Sequence, residues 1–513
     1  MKSARQLLLL LTLVRLVLPF VLQHPIYQPH RDEFLYLDYG RHMDWGYMEV
    51  PPLLSVFSWM VQQLGLVVFH VKLFPALIGA ATFLLCGQMV LLLGGNRLSM
   101  VLLFMAFVCS AFLRVFHLFQ PGFLEVFCWT LIGYTLVRYQ LSQHTKWLWM
   151  FGLACGLGMM SKYTTAFYIS GLLLALLLTP QRSIFLRKEF WLACGLALLI
   201  FLPNIWWQYM HNFPVVHHMH ELRETQLVHI SASDFLKDQW SMHLPVVFIW
   251  ITALLILAIG KWGKTYRWLA CQYVLVITLL ILGSGKGYYA LGLYPILFAF
   301  GAAFVGLWLA KQKRIMAWAI MIVPILLGLV AIPHLLPMFP PQKQAAFYNT
   351  INGNNEPSHQ WEDLKKHPLP QDFADMMGWK EIAAMVAKQY HALPDSMQQH
   401  TMLYCRGYFT ASALNYYRHT FGLPEAHSDN GSYLLWMPDS FSFKHLLLVG
   451  RRMPDSDDEV FNHFKSRQIL DSLQLPLARE DGMRVIFFKD GDSDMNRLVA
   501  EGIAEEKKKF SRE

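Results

Sequence analysis

Charge is what this chain has least of. Only 15% of its 513 residues are Asp, Glu, Lys or Arg, against about 25% in a typical soluble domain. With 55% hydrophobic residues, the composition excludes a freely soluble enzyme. Cysteine is sparse as well. Six of the seven, Cys86, Cys109, Cys128, Cys155, Cys194 and Cys271, fall in apolar runs, where a thiol behaves as a small apolar side chain. Cys405 alone follows those runs, so the polar C-terminal part has no internal disulfide. No cysteine or histidine pair has metal-ligand spacing. His217, His218 and His220 crowd together without an ordered partner set, so no metal is assigned to them and divalent-cation use stays open. No cofactor is implied. There is no long low-complexity segment and no fixed-period repeat.

What is there is a series of apolar runs, each long enough to cross roughly 30 Å of hydrocarbon as a helix. Hydropathy predicts helices near Gln6–Leu22, Val71–Leu93, Leu98–Leu118, Gly122–Tyr139, Trp147–Met160, Thr164–Leu178, Phe190–Tyr209, Leu244–Gly260, Trp268–Leu282, Tyr289–Leu309 and Ile315–Leu336, about eleven in all. The net charge of +8 sorts by loop. Alternate connections hold Lys2 and Arg5; Arg97; Arg138 and Lys146; Arg182, Arg187 and Lys188; Lys261, Lys264 and Arg267; and Lys311, Lys313 and Arg314. This asymmetry marks the cytoplasmic side, so the excess charge reflects topology and no nucleic-acid partner is expected. The N-terminus is placed inside and everything after Pro340 outside. The first run ends in Pro19-Phe20-Val21-Leu22-Gln23, without a small-residue cleavage site, and is read as a retained helix.

Composition turns polar after "PHLLPMFPPQKQ". "HTMLYC", "KHLLLVG" and "MRVIFF" predict strands, whereas "FTASALNYYRHTF" and "DEVFNHFKSRQILDSL" predict helices. The charged ending "AEGIAEEKKKFSRE" reads as a solvated helix or tail. The expected fold is therefore mainly α: a polytopic membrane domain over 1–340 and a C-terminal extracytoplasmic α/β domain over 341–513. Two long outer connections, 23–70 and 210–243, carry aromatics, His and acids. "PPLLSVFSWMVQQLGLVVF" in the first reads as a helix lying at the membrane surface, or a short span.

The few charges in or beside the spans gather at one depth. Arg15 lies in the outer half of the first span, Arg114 near the outer end of the third, and Glu125 at the start of the fourth. Lys162 and Lys286 sit in outer turns, and Asp32 and Glu33 of the first outer loop add acids at the same depth. Burying such charges costs on the order of 2–3 kcal/mol each, so a layer of acids and bases at headgroup depth points to chemistry there. Cations suit a lipid phosphate, held through charge-assisted hydrogen bonds, and one carboxylate suits deprotonation of an acceptor hydroxyl. Together they describe sugar transfer from a polyprenyl-phosphate sugar, in which the leaving phosphate needs positive charge and no general acid. The ordinary readings stand beside this one. Terminal lysines snorkel, Arg114 and Glu125 read equally as a structural ion pair, and Tyr288, Tyr289 and Trp240 match an aromatic belt. A lipid or glycolipid flippase is the rival function, although it calls for polar residues through the bilayer midplane and related halves.

The motifs also carry a resemblance. "DEFLYLDYGRHM…WGYMEVPPL" resembles the first external loop of the dolichyl-phosphate-mannose-protein mannosyltransferase-like glycosyltransferases of the GT-C fold. "FQPGFLEVFCWTLIGYTLVRY", "GLACGLGMMSKYTTAF", "LPNIWWQYMHNFPVVHHM" and "GKGYYALGLYPILFAFGA" resemble later spans of that family, in order, over about the first 310 residues. The resemblance implies a lipid-phosphate sugar donor, inversion at the anomeric carbon, Asp32 as catalytic base and Glu33 assisting. Glu49 resembles the second acid of the related aminoarabinose transferases, which have Glu-Lys-Pro where this chain has Glu49-Val50-Pro51. With that lysine absent, phosphate binding is expected of Lys286, Arg114 and Lys72, with Lys162, Arg15, Tyr288, Tyr289 and Glu125 nearby. Glu125 stands where the family more often has Asp. The acceptor, whether glycolipid, glycan or protein, is not encoded in any motif.

Overall fold

A computed structural model describes residues 2–225, 227–260, 262–352, 359–454 and 459–512. Each predicted apolar run is helical at its centre. Among the described residues, six helices are long and apolar enough to cross a membrane: Ser3–Leu22, Val68–Leu92, Lys188–Met210, Gly263–Leu282, Gly287–Leu309 and Arg314–Leu335. Two bent pairs, Thr165–Leu177 with Pro180–Leu186 and Ala232–Ser241 with Leu244–Ala258, bring the number to eight if each pair is one span. Helical spans satisfy every backbone group internally, as a hydrocarbon environment requires. Lys261, one of the cations expected on the cytoplasmic side, lies outside the described residues.

The predicted helix Leu98–Leu118 is broken. It runs as Arg97–Val108, then resumes as the single turn Phe112–Val115. The amide of Ala111 leaves the helix ladder for the carbonyl of Met242 at 2.9 Å, and the Arg15 guanidinium takes the carbonyl of Phe112 at 2.9 Å. The span predicted from Tyr289 also opens as a tighter 3-10 turn, Gly287–Leu293, before the α-helix Tyr294–Leu309.

Between the first two long helices lie two short ones, Arg31–Asp38 and Leu53–Leu64. The second ties down the first. Gln62 Nε2 donates to the carbonyl of Leu37 at 2.7 Å, and Ser58 donates to that of Tyr36, satisfying end carbonyls that a helix cannot pair internally. The contact is close enough that a Cβ on Gly40 would lie 2.5 Å from the backbone nitrogen of Trp59.

The C-terminal region builds a five-stranded mixed sheet in the order β2-β1-β3-β5-β4, from β1 (Thr401–Cys405), β2 (Ala426–His427), β3 (His445–Gly450), β4 (Phe464–Ser472) and β5 (Arg484–Gly491). β3 is the buried central strand, parallel to β1 and antiparallel to β5. The three predicted strands and the helix at Tyr408–Phe421 are present. The helix expected over 458–473 is not: a four-residue turn, Glu459–Asn462, leads into edge strand β4, and Asp458 lies outside the described residues. Lys465, Ser466, Arg467 and Gln468 carry no alternation that would betray a strand, and pairing with β5 decides their conformation.

The hydrophobic core runs without interruption from the membrane helices into this sheet domain. Phe34, on the short helix Arg31–Asp38, packs edge-on against Trp379 and Tyr416 of the sheet domain, with ring centroids 5.7 and 5.2 Å away. That helix is clasped between the two parts of the molecule.

Candidate active site

The short helix Arg31–Asp38 begins with a capping box: the His30 side chain accepts the amide of Asp32, and the Glu33 carboxylate accepts the amide of His30 at 2.6 Å. Glu33 then continues inward. It is fully buried and forms an ion pair with Lys72 at 2.6 Å, and it also accepts the backbone amide of Phe119. Every acceptor position of this carboxylate is used for structure. Lys72, itself only 2% exposed, is committed to Glu33, which corrects its expected role in holding phosphate.

Asp32, one residue earlier, faces the other way. Its side chain is 37% exposed and lies 3.9 Å from the Nδ1 of His30. Tyr36, Tyr288 and Tyr408 all lie within electrostatic reach of its charge. Burial, reinforced by Asp32, holds the Tyr36 hydroxyl well above the usual phenol range, so it stays protonated as a hydrogen-bond donor.

Lys162 and the tyrosines Tyr288 and Tyr289 form a second group of side chains, with Tyr288 within electrostatic reach of Tyr36 and Asp32. The Lys162 ammonium sits 4.5 Å above the Tyr289 ring and 5.2 Å from that of Tyr288, a cation–π arrangement. Its Nζ also donates to Glu125 at 3.1 Å, and the Thr164 hydroxyl donates to the other oxygen of the same carboxylate. Glu125 thus pairs with Lys162 and not with Arg114, correcting that expectation. Lys286 precedes the tyrosines and lies close enough to Glu362 of the sheet domain to favour that carboxylate's charged form.

Three further expected ligands have other occupations. Arg15 is completely buried within the helix bundle, bonded to the Phe112 carbonyl and stacked 5.7 Å from the Phe116 ring, so it is not a headgroup ligand. Arg114 forms an ion pair with Asp372 of the sheet domain. Glu49 accepts from the hydroxyl of Tyr39 at 2.8 Å and from the amide of Ser432 at 2.9 Å, linking the first loop to the sheet domain.

The sheet domain's own contribution escapes sequence reading. The segment around Gln371–Ala374 lies along the first loop, with the amides of Gln28 and Arg31 donating to the carbonyls of Met376 and Asp375 at 2.8 and 3.1 Å. It delivers Asp372 and Asp375 to His30, and Arg479 bridges Asp375 at 3.3 Å and Glu362 at 2.7 Å. Arg31 stacks 3.9 Å over the ring of Phe409. Burial pushes the Asp375 carboxyl up to about 6 against the pull of His30 and Arg479. Asp372, whose side chain is 42% exposed, is held well below the usual carboxylate range by Arg114 and His30. A second buried acid, Asp38, is likewise pushed up to about 6 by burial, although Arg41, Tyr433 and Asn415 all contact it. No local sequence signal marks these residues, because the partners that gather them lie far along the chain, from 104 positions away for Asp375 and Arg479 to 395 for Asp38 and Tyr433. Among the described residues, no group of three or more His, Cys, Asp or Glu is placed to hold a metal ion.

Comparison with known proteins agrees with this architecture. Residues 49–207 match the sequence model of the dolichyl-phosphate-mannose-protein mannosyltransferase family, a match that begins after Asp32 and Glu33. The chain is 26% identical over 278 residues to the lipid A galacturonosyltransferase RgtD of Rhizobium johnstonii, covering 48% of this chain and 54% of that one. The alignment thus spans about half of each protein. The fold superposes on crystal structures of ArnT from Cupriavidus metallidurans. With undecaprenyl phosphate bound to ArnT, the TM-score is 0.63 at 13% identity, over 95% of this chain and 98% of that one. With apo ArnT the TM-score is 0.61 at 14% identity. The chain is a multi-pass membrane protein with the GT-C fold, similar in sequence to glycosyltransferases of that fold.

Proposed function

We propose that the protein transfers a sugar, with inversion, from a polyprenyl-phosphate donor to an acceptor hydroxyl at the outer face of the cytoplasmic membrane. The N-terminus would be cytoplasmic and the sheet domain extracytoplasmic. One observation carries the reading. Of the acids in the layer, Glu33, Glu49 and Glu125 are taken up by Lys72, Ser432 and Lys162, while Asp32 presents a partly exposed carboxylate within electrostatic reach of Tyr36, Tyr288 and Tyr408. Asp32 serves as general base, drawing the proton from the acceptor oxygen as it attacks the anomeric carbon. Lys286 and Lys162, with the hydroxyls of Tyr288 and Tyr289, stabilise the phosphate as it departs with the glycosidic electron pair. Lys162 stands over both rings while paired with Glu125, so a phosphate there would share the ammonium with that carboxylate. Glu33 acts through structure, fixing the helix that aims Asp32.

Donor and acceptor classes follow from chemistry and from the relatives together. A lipid A-type glycolipid is the first acceptor to test, given the name of the curated relative, and a polyprenyl-phosphate galacturonate the first donor. The test uses purified protein in nanodiscs with a panel of polyprenyl-phosphate sugars, followed by mass spectrometry of free polyprenyl phosphate. Release that depends on added membrane lipid is the expected result. Donor binding without release for every sugar would point to transport instead.

A further inference from the structure

His30 is the point on which three carboxylates converge. Its side chain is 6% exposed, with Nδ1 3.9 Å from Asp32 and Nε2 3.6 Å from Asp372 and 3.7 Å from Asp375. Nδ1 accepts the backbone amide of Asp32 at 3.2 Å, so the neutral ring carries its proton on Nε2. That Nε2 is shielded from solvent and, among the described residues, has no hydrogen-bond partner. A buried N–H aimed between two carboxylates a few tenths of an ångström beyond bonding distance is poised to engage them, and catalytic contacts of this kind commonly tighten only when substrate is bound. The remaining groups facing the ring are the Gln120 amide at 3.4 Å, Glu33 on the His30 amide, Arg31 on the same helix, and Arg114 and Arg479, which already neutralise Asp372 and Asp375. His30, Arg114, His117 and Asp372 also line one small cavity.

We propose that His30 is a proton relay behind Asp32, and that Asp372 and Asp375 of the sheet domain position and charge-balance it. The proposal rests on Asp32 being the base. As the acceptor oxygen bonds the anomeric carbon, its proton passes to the Asp32 carboxylate and the phosphate leaves with the electron pair of the broken bond. The proton then moves from Asp32 to His30 Nδ1, which exchanges its capping contact for the carboxylate. The imidazolium is held through Nε2–H by Asp372 and Asp375 until Nδ1 surrenders the proton to the water that replaces product. An isolated carboxylate is a weak base for an alcohol, and a more basic group behind it supplies the sink. The environment is consistent with this: burial alone would lower the basicity of His30, but Asp372, Asp32 and Asp375 together raise it above the ordinary value. The sheet domain would thereby supply part of the reaction machinery and not merely a cover.

Two variants, assayed in nanodiscs with the polyprenyl-phosphate sugar the wild type consumes, decide it. Asn is among the best helix N-caps, so His30→Asn keeps the cap while removing the titrating ring. Its turnover is expected to fall on the order of ten-fold or more, with thermal stability and donor KM retained. Asp372→Asn is expected to move the acidic limb of the kcat–pH profile to lower pH, because His30 loses a neighbour that favours its charged form. If Asp372→Asn fails to fold, Asp375→Asn reads the same limb. Wild-type kcat in His30→Asn, or an unmoved limb, would reduce His30 to a cap and overturn the relay. Asp32→Asn is run alongside: turnover there removes the base itself, whereas an inactive Asp32→Asn with an active His30→Asn removes only the relay.

Discussion

At the scale of single residues, neighbouring carboxylates have opposite fates. Asp32 and Glu33 are adjacent, yet the roughly 100° of rotation between successive helix positions sends Glu33 into the core against Lys72 and leaves Asp32 partly exposed. Removing one partner of a buried ion pair leaves an uncompensated charge and costs about 3–5 kcal/mol, whereas replacing both is often close to neutral. Glu33→Gln is therefore expected to destabilise the protein by that order, and Glu33→Gln with Lys72→Met to recover most of it in thermal melts. Equal loss in both variants would show that Glu33 does something other than pair with Lys72. Lys286 is expected to act on the donor. A hydrogen bond to a charged group contributes about 1.5–3 kcal/mol, so Lys286→Ala should weaken polyprenyl-phosphate binding about ten-fold or more, measured by calorimetry in nanodiscs, with little effect on acceptor KM.

At the scale of elements, the helix Arg31–Asp38 is held by contacts with two distinct pH dependences. Asp38, buried against Tyr433 and Asn415, and Asp375, buried beside His30, are both pushed up to about 6. A carboxyl whose folded value exceeds its unfolded value favours the folded state when protonated. That contribution is complete below about pH 4 and is lost as pH rises through about 6. Asp372 works in the opposite sense: its paired charge stabilises above the ordinary carboxylate range and is lost on acidification. Thermal stability should therefore be highest near pH 4, decline between about pH 4 and 7, and level off above that as far as these carboxyls are concerned. Asp38→Asn should flatten that decline, and an unchanged slope in the variant would assign it elsewhere. Packing gives a further expectation. Gly40 meets the backbone of Trp59 so closely that Gly40→Ala forces the helix Leu53–Leu64 away. A loss of about 1–3 kcal/mol is expected, visible as a lowered melting temperature.

At the scale of the whole molecule, one continuous core joins membrane helices to a sheet domain that clamps the first loop. Much of this was legible in the sequence. Apolar length gives helices wherever water is excluded, because no other backbone satisfies its own hydrogen bonds there, and the strands of Thr401–Cys405 and His445–Gly450 stand out as short apolar runs. Asp32, Lys162 and Lys286 were conspicuous as rare charges at one depth. What local pattern could not reveal was pairing. Lys72 and Arg15 look like phosphate ligands until Glu33 and the Phe112 carbonyl claim them, and the strand Phe464–Ser472 looks helical until it meets Arg484–Gly491. His30, Asp372, Asp375 and Arg479 are ordinary polar residues in sequence and become a cluster only when distant segments dock.

The most direct test of the account is donor turnover by Asp32→Asn beside wild type, in nanodiscs with a polyprenyl-phosphate sugar and membrane glycolipid. Asn keeps the size and hydrogen-bonding outline of the side chain and removes only its capacity to accept a proton. The account predicts an unchanged melting temperature, intact donor binding and no acceptor-dependent release of polyprenyl phosphate. Sustained release by Asp32→Asn would contradict it, showing that the open carboxylate of the first loop is not the base.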